Sequence, residues 1–172
     1  MGIEDAQPRR IVIVGGGTAG WMAASLMARR WAGRAVEISV LESPEIGIVG
    51  VGEGSTPQLR GFFDALGIAE SEWMPRCNAT WKTDRYFINT ALAQRRLAPL
   101  PAHQFPFRVF YGYHFDAMLI GAFLREWSTR QGVRHLEGTV TRVEQAEGGD
   151  IVALHTGDGR RIEADFYLDS TG

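Results

Sequence analysis

The sequence has 172 residues, of which 45% are hydrophobic and 22% are charged, and its formal net charge at pH 7 is −2. This length and composition predict a globular protein with one core, organised as a single domain over residues 1–172. The small net charge gives no electrostatic reason to expect nucleic acid or an anionic membrane as a partner.

The cysteine content and the N-terminal region indicate the cellular compartment. Cys77 is the only cysteine, so an internal disulfide is excluded and a reducing compartment is expected. The uncharged run from Ile11 to Ala28 is long enough to raise the question of a transmembrane helix. Its glycines divide it into a strand and a helix, and the charged residues before it lack the arrangement of a signal peptide. We therefore expect a cytoplasmic protein.

The first predicted elements are a strand, a tight turn and a helix. Ile11 to Val14 is a β-branched run that is typical of a buried parallel strand. The glycines that follow have the spacing G-x-G-x-x-G: the first allows a tight turn, the second lets the backbone approach a pyrophosphate, and the third lets the helix pack closely on the strand. The helix N-terminus adds N–H groups and positive partial charge. This motif comprises Gly15, Gly17, Gly20 and the helix-start residues Thr18 and Ala19.

A second predicted strand, Val36 to Leu41, ends at Glu42. An acidic residue near this position accepts hydrogen bonds from the adenosine ribose in dinucleotide-binding folds. The whole unit therefore predicts a dinucleotide site, and the alternative is an ordinary strand-turn-helix whose glycines serve packing only.

A second glycine-rich loop follows, with glycine at 47, 50, 52 and 54. Thr56 and Pro57 then predict a helix start, with threonine at the N-cap and proline at the first helical position. Leu59, Phe62, Phe63 and Leu66 keep the spacing of a buried helix face, and Gly67 would end the helix. A loop beside a helix N-terminus can bind an anion, and the alternative is a surface turn.

The rest of the chain is predicted to alternate between strands and helices. The predictions are a short helix within 71–81, a strand over 81–89, a proline-rich irregular stretch over 97–109, a helix over 114–131 with the aromatic and apolar stripe Phe115, Leu119, Phe123 and Trp127, and a β-meander of Thr139–Val143, Ile151–His155 and Ile162–Leu168. The last strand leads into a glycine turn, Asp169 to Gly172. His103 has no second ligand at metal spacing, so we expect an ordinary loop histidine there. His135 and His155 lie in or beside the predicted strands, where we expect structural roles, and no metal site is expected.

Six segments together resemble the flavin-dependent halogenases of the tryptophan halogenase type, which are part of the wider FAD monooxygenase superfamily. They are Gly-Gly-Gly-Thr-Ala-Gly-Trp21, Gly50-Val-Gly-Glu-Gly-Ser-Thr-Pro57, Phe-Phe-Asp-Ala-Leu-Gly-Ile at 62–68, Glu72-Trp-Met, Tyr113-His-Phe-Asp116 and Ala164-Asp-Phe-Tyr-Leu-Asp-Ser-Thr-Gly172. The first and last also occur in many other FAD proteins. The Gly-Val-Gly-Glu loop with Lys82 at the right interval is far more specific.

The resemblance implies a Rossmann-like FAD/NAD(P)-binding α/β fold with a parallel central sheet and a small antiparallel meander. In that family reduced FAD, oxygen and halide give hypohalous acid, and a lysine directs the halogen to an aromatic ring such as that of tryptophan or indole. By position this catalytic lysine is Lys82. An amine can hold hypohalous acid by a hydrogen bond or as a chloramine. The partners would be a small aromatic substrate, oxygen, halide and a separate flavin reductase that supplies reduced FAD.

The residues expected to bind FAD extend over three regions. The adenosine end would lie at Glu42 and the flavin near the second glycine-rich loop. The full set is Gly15, Gly17, Thr18, Ala19, Gly20, Glu42, Gly50, Val51, Gly52, Glu53, Ser55, Thr56, Asp169 and Gly172.

The sequence also departs from the family pattern. The family's Trp-x-Trp-x-Ile-Pro motif and its downstream Glu-Ser-Thr-Gly segment are absent, and the stretch 90–112 is shorter. We therefore interpret the chain as an N-terminal FAD-binding portion, truncated or diverged. The alternatives are another FAD monooxygenase or dehydrogenase in which Lys82 is an incidental surface lysine, and a flavin-binding fragment without catalysis.

Overall fold

The computed structural model describes residues 9–46, 54–82, 95–96 and 111–172. The chain divides into two compact units, one formed by residues 1–49 and 121–172 and the other by residues 50–120. The described helices and strands are β1 Arg10–Val14, α1 Thr18–Arg30, β2 Glu37–Glu42, α2 Gln58–Leu66, α3 Glu70–Trp73, β3 Thr80–Lys82, β4 Gly112–His114, α4 Ala117–Arg130, β5 Arg134–Glu137, β6 Val140–Gln145, β7 Ile151–Thr156, β8 Arg161–Glu163 and β9 Phe166–Asp169, with one 3₁₀ turn at Pro75–Cys77.

The first unit is built on a parallel sheet with the strand order β5-β2-β1-β9. Ile11, Val12 and Ile13 of the central strand β1 are 1%, 4% and 0% exposed, and because successive side chains point to opposite faces, both faces of the strand are covered. Helices α1 and α4 are joined by a hydrogen bond of 2.8 Å between the buried hydroxyls of Ser25 and Ser128. The prediction of a Rossmann-like α/β fold with a parallel central sheet is confirmed.

The predicted meander is confirmed as the antiparallel sheet β6-β7-β8, with one correction. The run Ile162–Leu168 is not one strand, because it divides into β8 of the meander and β9, which pairs in parallel with β1. Asp165 lies at the division, and its Oδ2 accepts hydrogen bonds of 2.8 Å from the backbone N–H groups of Arg9 and Arg10. These bonds attach the chain to the start of β1, where β9 begins.

Strand β5 was not predicted. Its sequence, Arg-His-Leu-Glu, has one apolar residue, so it lacks the pattern of a buried strand. It lies at the edge of the sheet and pairs with β2 in the register Val40↔His135 and Glu42↔Glu137. The pairing with β2 stabilises this strand, and pairing between distant segments cannot be predicted from the periodicity of the sequence.

Helix α4 begins at Ala117, not at His114 as predicted, because His114 belongs to β4. Oδ1 of Asp116 accepts hydrogen bonds from the backbone N–H groups of Met118 (2.8 Å) and Leu119 (3.0 Å), which is the action of an N-cap. Of the four residues of the predicted stripe, Phe123 and Trp127 are buried, whereas Leu119 is of intermediate burial and Phe115 lies before the helix.

The second unit contains α2, α3 and the two-stranded antiparallel sheet β3-β4. Helix α2 buries Leu59, Phe62, Phe63 and Leu66 and ends at Gly67 with φ 75°, all as predicted. The predicted threonine cap is wrong: the helix begins at Gln58, Pro57 is the N-cap, and no side chain caps it. The core of this unit is aromatic, since the rings of Phe63 and Trp73 stack at 4.2 Å.

Candidate functional site

The three glycines of the first turn have distinct surroundings. Gly15 has φ +111°, and a Cβ atom there would lie 2.4 Å from the carbonyl oxygen of Ser170. A Cβ atom on Gly20 would lie 2.0 Å from the carbonyl oxygen of Gly15. Gly17 differs, because its φ of −68° suits any residue and a Cβ atom would meet none of the described residues within 4 Å. Gly15 and Gly20 are thus required by the fold, whereas the space beside Gly17 is open and fits a ligand that approaches the backbone.

Helix α1 begins at this turn, with Gly17 as its N-cap and Thr18 and Ala19 in its first turn. The N-terminus of an α-helix favours anions because its first N–H groups carry positive partial charge. No acidic residue lies in the first turn of α1 to repel an anion. The arrangement suits the pyrophosphate of a dinucleotide.

Glu42 lies directly beside the turn. A Cβ atom on Gly16 would lie 2.2 Å from Cδ of Glu42, so the side chain of Glu42 covers this glycine. Its Oε2 is 2.8 Å from Nε2 of His135 and 3.9 Å from Nη1 of Arg125. Neither contact was predicted: the first depends on strand β5, which brings His135 beside β2, and the second on helix α4, which carries Arg125.

The end of β9 lies next to the same turn. Asp169 pairs with Val14 of β1, and the N–H of Ser170 donates a hydrogen bond of 2.8 Å to the carbonyl oxygen of Val14. Oδ1 of Asp169 accepts hydrogen bonds from the backbone N–H and the hydroxyl of Thr171, and these lower the pKa of Asp169. Gly172 follows with φ +89°. The structure thus brings together Gly15, Glu42 and Asp169 at the carboxyl ends of the parallel strands, where open α/β sheets bind ligands.

The predicted flavin-binding residues of the second loop are described only in part. Gly50, Val51, Gly52 and Glu53 lie outside the described residues. Ser55 and Thr56 are described. Ser55 is held by β4, since its Oγ accepts a hydrogen bond of 2.9 Å from the N–H of Tyr113 and its own N–H donates to the carbonyl oxygen of Tyr113. Thr56 is exposed.

Lys82 is the last residue of β3 and is exposed. It is also the only lysine among the 18 Lys and Arg residues of the sequence. A Cβ atom on Gly54 would lie 3.4 Å from Nζ of Lys82 and 3.8 Å from Nδ1 of His114. The amine therefore points to the last glycine of the second loop, and an imidazole lies at the same place.

Trp81 has different surroundings from Lys82, as expected for neighbouring residues of a strand. It lines a cavity of about 670 Å³ within the second unit, together with Arg60, Asp64, Ala69, Glu70, Ser71, Met74, Pro75, Ala79 and Thr80.

Oε1 of Glu70 accepts hydrogen bonds of 2.5 Å from the hydroxyls of Tyr111 and Tyr113. Burial and these bonds raise the pKa of both tyrosines. The predicted strand over 81–89 is described only as far as Lys82, and the rest of it lies outside the described residues.

Within the described ranges, no group of three or more His, Cys, Asp or Glu side chains could hold a metal ion. Neither α1 nor any other helix in those ranges has both the length and the hydropathy that a bilayer-spanning segment needs.

Comparison with known proteins identifies the family. The sequence model of the tryptophan halogenases matches residues 10–91 and 84–172. The chain belongs to the tryptophan halogenase family. It is 34% identical to the tryptophan 7-halogenase of Lentzea aerocolonigenes over 95% of this chain and 42% of that protein.

Solved structures of the family have the same fold. A tryptophan 6-halogenase from Streptomyces toxytricini matches with a TM-score of 0.83 and 30% identity, over 96% of this chain and 44% of that chain. A flavin-dependent halogenase from Xanthomonas campestris matches with a TM-score of 0.78 and 35% identity, over 96% of this chain and 42% of that chain. The chain therefore spans less than half the length of the tryptophan halogenases that it matches.

Proposed function

We propose that this chain is the FAD-binding portion of a flavin-dependent halogenase that uses reduced FAD, oxygen and halide to halogenate an aromatic substrate of the tryptophan or indole type. Its membership of the family and its Rossmann-like sheet support the proposal. The observation that carries it is the position of Lys82: the only amine side chain in the sequence points to the last glycine of the second glycine-rich loop.

The first unit would hold the cofactor's adenosine and pyrophosphate. Gly17, Thr18 and Ala19 would bind the pyrophosphate through their N–H groups, because the space beside Gly17 is open and the helix end favours anions. Glu42 would accept a hydrogen bond from the ribose. Asp169, which pairs with Val14 just before the same turn, and Gly172 would contribute to the cofactor site, and Gly50 to Thr56 would contact the flavin. Bound reduced FAD would supply the electrons with which oxygen is activated to oxidise halide.

Lys82 would direct the halogen. Its amine can donate a hydrogen bond to hypohalous acid or can combine with it, with loss of water, to give a chloramine. Arginine cannot take the second role readily, since its guanidinium is not deprotonated in proteins. All the other Lys and Arg positions of the sequence are arginine, so Lys82 is the only side chain whose amine could form a chloramine.

A separate flavin reductase would supply reduced FAD, and we propose that both proteins act in the cytoplasm.

FAD binding is tested by titrating the purified chain with FAD and following flavin fluorescence. We expect wild-type protein to bind and Gly17→Val to bind at least about tenfold more weakly, because the added side chain occupies the space of the pyrophosphate. The matched control is Gly61→Val on α2, where a Cβ atom also has no neighbour within 4 Å among the described residues. Wild-type affinity in folded Gly17→Val protein would show that the motif does not bind the cofactor.

The reaction class is tested with added flavin reductase, NADH, chloride and either tryptophan or indole, in a protein of the family's full length that carries this sequence. Mass spectrometry should detect a halogenated product. Oxidation of NAD(P)H without the reductase, and without halogenated product, would favour the FAD monooxygenase alternative.

A further inference from the structure

Two nitrogen-containing side chains approach the same oxygen of Glu42. Nε2 of His135 is 2.8 Å from Oε2 of Glu42, and Nη1 of Arg125 is 3.9 Å from it. The side chains of His135 and Glu42 are 23% and 19% exposed, so this contact is largely protected from water. Among the described residues, both of these contacts of the carboxylate are made by Oε2. Oε1 is the oxygen that remains for a ligand.

The imidazole of His135 is fixed from two sides. His135 pairs with Val40, so it is the diagonal neighbour of Glu42 across the β2–β5 pair, at a distance that a long side chain spans. On its other side the ring packs edge to face against Trp21 of α1, with 5.5 Å between ring centroids. Trp21 is 1% exposed and follows directly after Gly20 of the glycine motif. The ring therefore has little freedom to leave the carboxylate.

The backbone at Glu42 is held without His135. The N–H of Gly138 donates a hydrogen bond of 2.8 Å to the carbonyl oxygen of Glu42, and the hydroxyls of Ser43 and Thr139 are 2.7 Å apart. Removal of the imidazole should thus release the carboxylate and leave the strand end in place.

We propose that His135 is a positioning residue for the cofactor's adenosine: it donates a hydrogen bond to Oε2 of Glu42 and so presents Oε1 to the ribose 2′-hydroxyl. Arg125 contributes positive charge on the same side. This inference rests on the proposed binding of FAD. An ionised carboxylate accepts hydrogen bonds through both oxygens, so one oxygen can be held by the protein while the other receives the ligand. An orientation that is fixed before binding removes an entropic cost of association.

The test compares the binding of ADP and 2′-deoxy-ADP by calorimetry, because the two probes differ only in the hydroxyl that Glu42 would contact. Wild-type protein should bind ADP about tenfold to a hundredfold more tightly than 2′-deoxy-ADP, as expected for a hydrogen bond to a charged group. In His135→Leu this ratio should fall to about twofold or threefold. In His135→Gln, whose amide nitrogen takes nearly the place of Nε2, most of the ratio should return. A merely structural role would weaken both probes equally.

The matched control is His155→Leu, since Nε2 of His155 is also 2.8 Å from a carboxylate oxygen, on Glu144 in the meander. It should leave the ratio unchanged. If His135→Leu does not fold, His135→Asn replaces it, because its shorter amide does not reach Oε2. An unchanged ratio in folded Leu or Asn variants overturns the positioning role. If wild type binds neither ADP nor FAD, the proposed function is itself wrong and this inference falls with it.

Discussion

The carbonyl oxygen of Gly15 occupies the place where Gly20 would carry a side chain, since a Cβ atom there would lie 2.0 Å away. The third glycine of the motif thus lets α1 pack against the turn that follows β1. By contrast, a Cβ atom on Gly17 would meet no atom within 4 Å in the part of the chain that the structure describes. One motif therefore contains a glycine that the fold requires and a glycine that only a ligand would require.

We expect Gly20→Ala to destabilise the protein and Gly17→Ala to leave its stability nearly unchanged. In a helix, alanine is favoured over glycine by about 1 kcal/mol, but overpacking against rigid backbone costs about 1–3 kcal/mol, so the clash should win at Gly20. Urea unfolding followed by circular dichroism measures both variants. Equal midpoints for Gly20→Ala and wild type would show that the helix shifts freely at this turn.

The features that the sequence predicted correctly are those that local chemistry demands. Gly15 needs φ +111°, and Gly67 ends α2 in the left-handed region, so both positions are recognisable without knowledge of the rest of the fold. The apolar faces of β1 and α2 were predicted because their periodicity reflects burial.

The features that were missed depend on pairing between distant segments. Strands β4 and β5 are three and four residues long, and each is stabilised by a partner strand. The contact between His135 and Glu42 follows from the pairing of β5 with β2. A structural role was expected for His135, but its partner could not be predicted without knowledge of that pairing. The division of the run Ile162–Leu168 at Asp165 likewise depends on backbone groups at Arg9 and Arg10.

The meander should show a pH-dependent contribution from Glu144. Hydrogen bonds from Arg161 and His155 lower the pKa of Glu144 to about 2. A carboxyl group whose pKa is depressed by folding stabilises the protein above its unfolded pKa of about 4.3, and this contribution is lost as the pH falls towards about 2. The difference in urea midpoint between wild type and Glu144→Gln should therefore shrink between about pH 5 and about pH 2. Because the side chain of Glu144 is partly exposed to solvent, the effect should be small and should weaken with added salt.

The control for this measurement is Glu147→Gln, in the turn between β6 and β7. The difference in urea midpoint between wild type and Glu147→Gln should not shrink between about pH 5 and about pH 2 in the way expected for Glu144→Gln. A constant difference for Glu144→Gln down to about pH 2 would mean that the network with Arg161 does not persist in solution.

Removal of the Glu42 carboxylate should change which adenosine nucleotide the site prefers. Arg125 and His135 would remain next to the ribose without the acidic group that repels a phosphate there, and an arginine at this position accommodates a 2′-phosphate in related folds. We expect Glu42→Ser to bind adenosine 2′,5′-bisphosphate about tenfold more tightly relative to ADP than wild type does. Calorimetric titration with both nucleotides measures the ratio.

The double variant with Arg125→Gln is the control for that prediction, and it should lose most of the gain. A ratio that stays at the wild-type value in Glu42→Ser would mean that the ribose does not lie at this carboxylate.

Lys82 should separate the formation of the oxidant from the transfer of the halogen. It is exposed at the end of β3, so Lys82→Ala should leave the free energy of unfolding and FAD binding unchanged. In a protein of the family's full length that carries this sequence, oxidation of reduced flavin should continue, while halogenated product should fall by about a hundredfold or more. Thr80→Ala, at the exposed start of the same strand, is the matched control and should retain activity.

Lys82→Arg then distinguishes the two possible roles of the amine. Arginine keeps a positive charge and hydrogen-bond donors at this position but does not lose a proton to act as a nucleophile. If hypohalous acid is held by a hydrogen bond, Lys82→Arg should keep measurable halogenation, whereas a chloramine mechanism predicts a loss as large as that of Lys82→Ala. Product quantified by mass spectrometry alongside flavin oxidation gives both rates in one assay. Near wild-type halogenation by Lys82→Ala would make the lysine a surface residue and would remove the observation on which the proposed function chiefly rests.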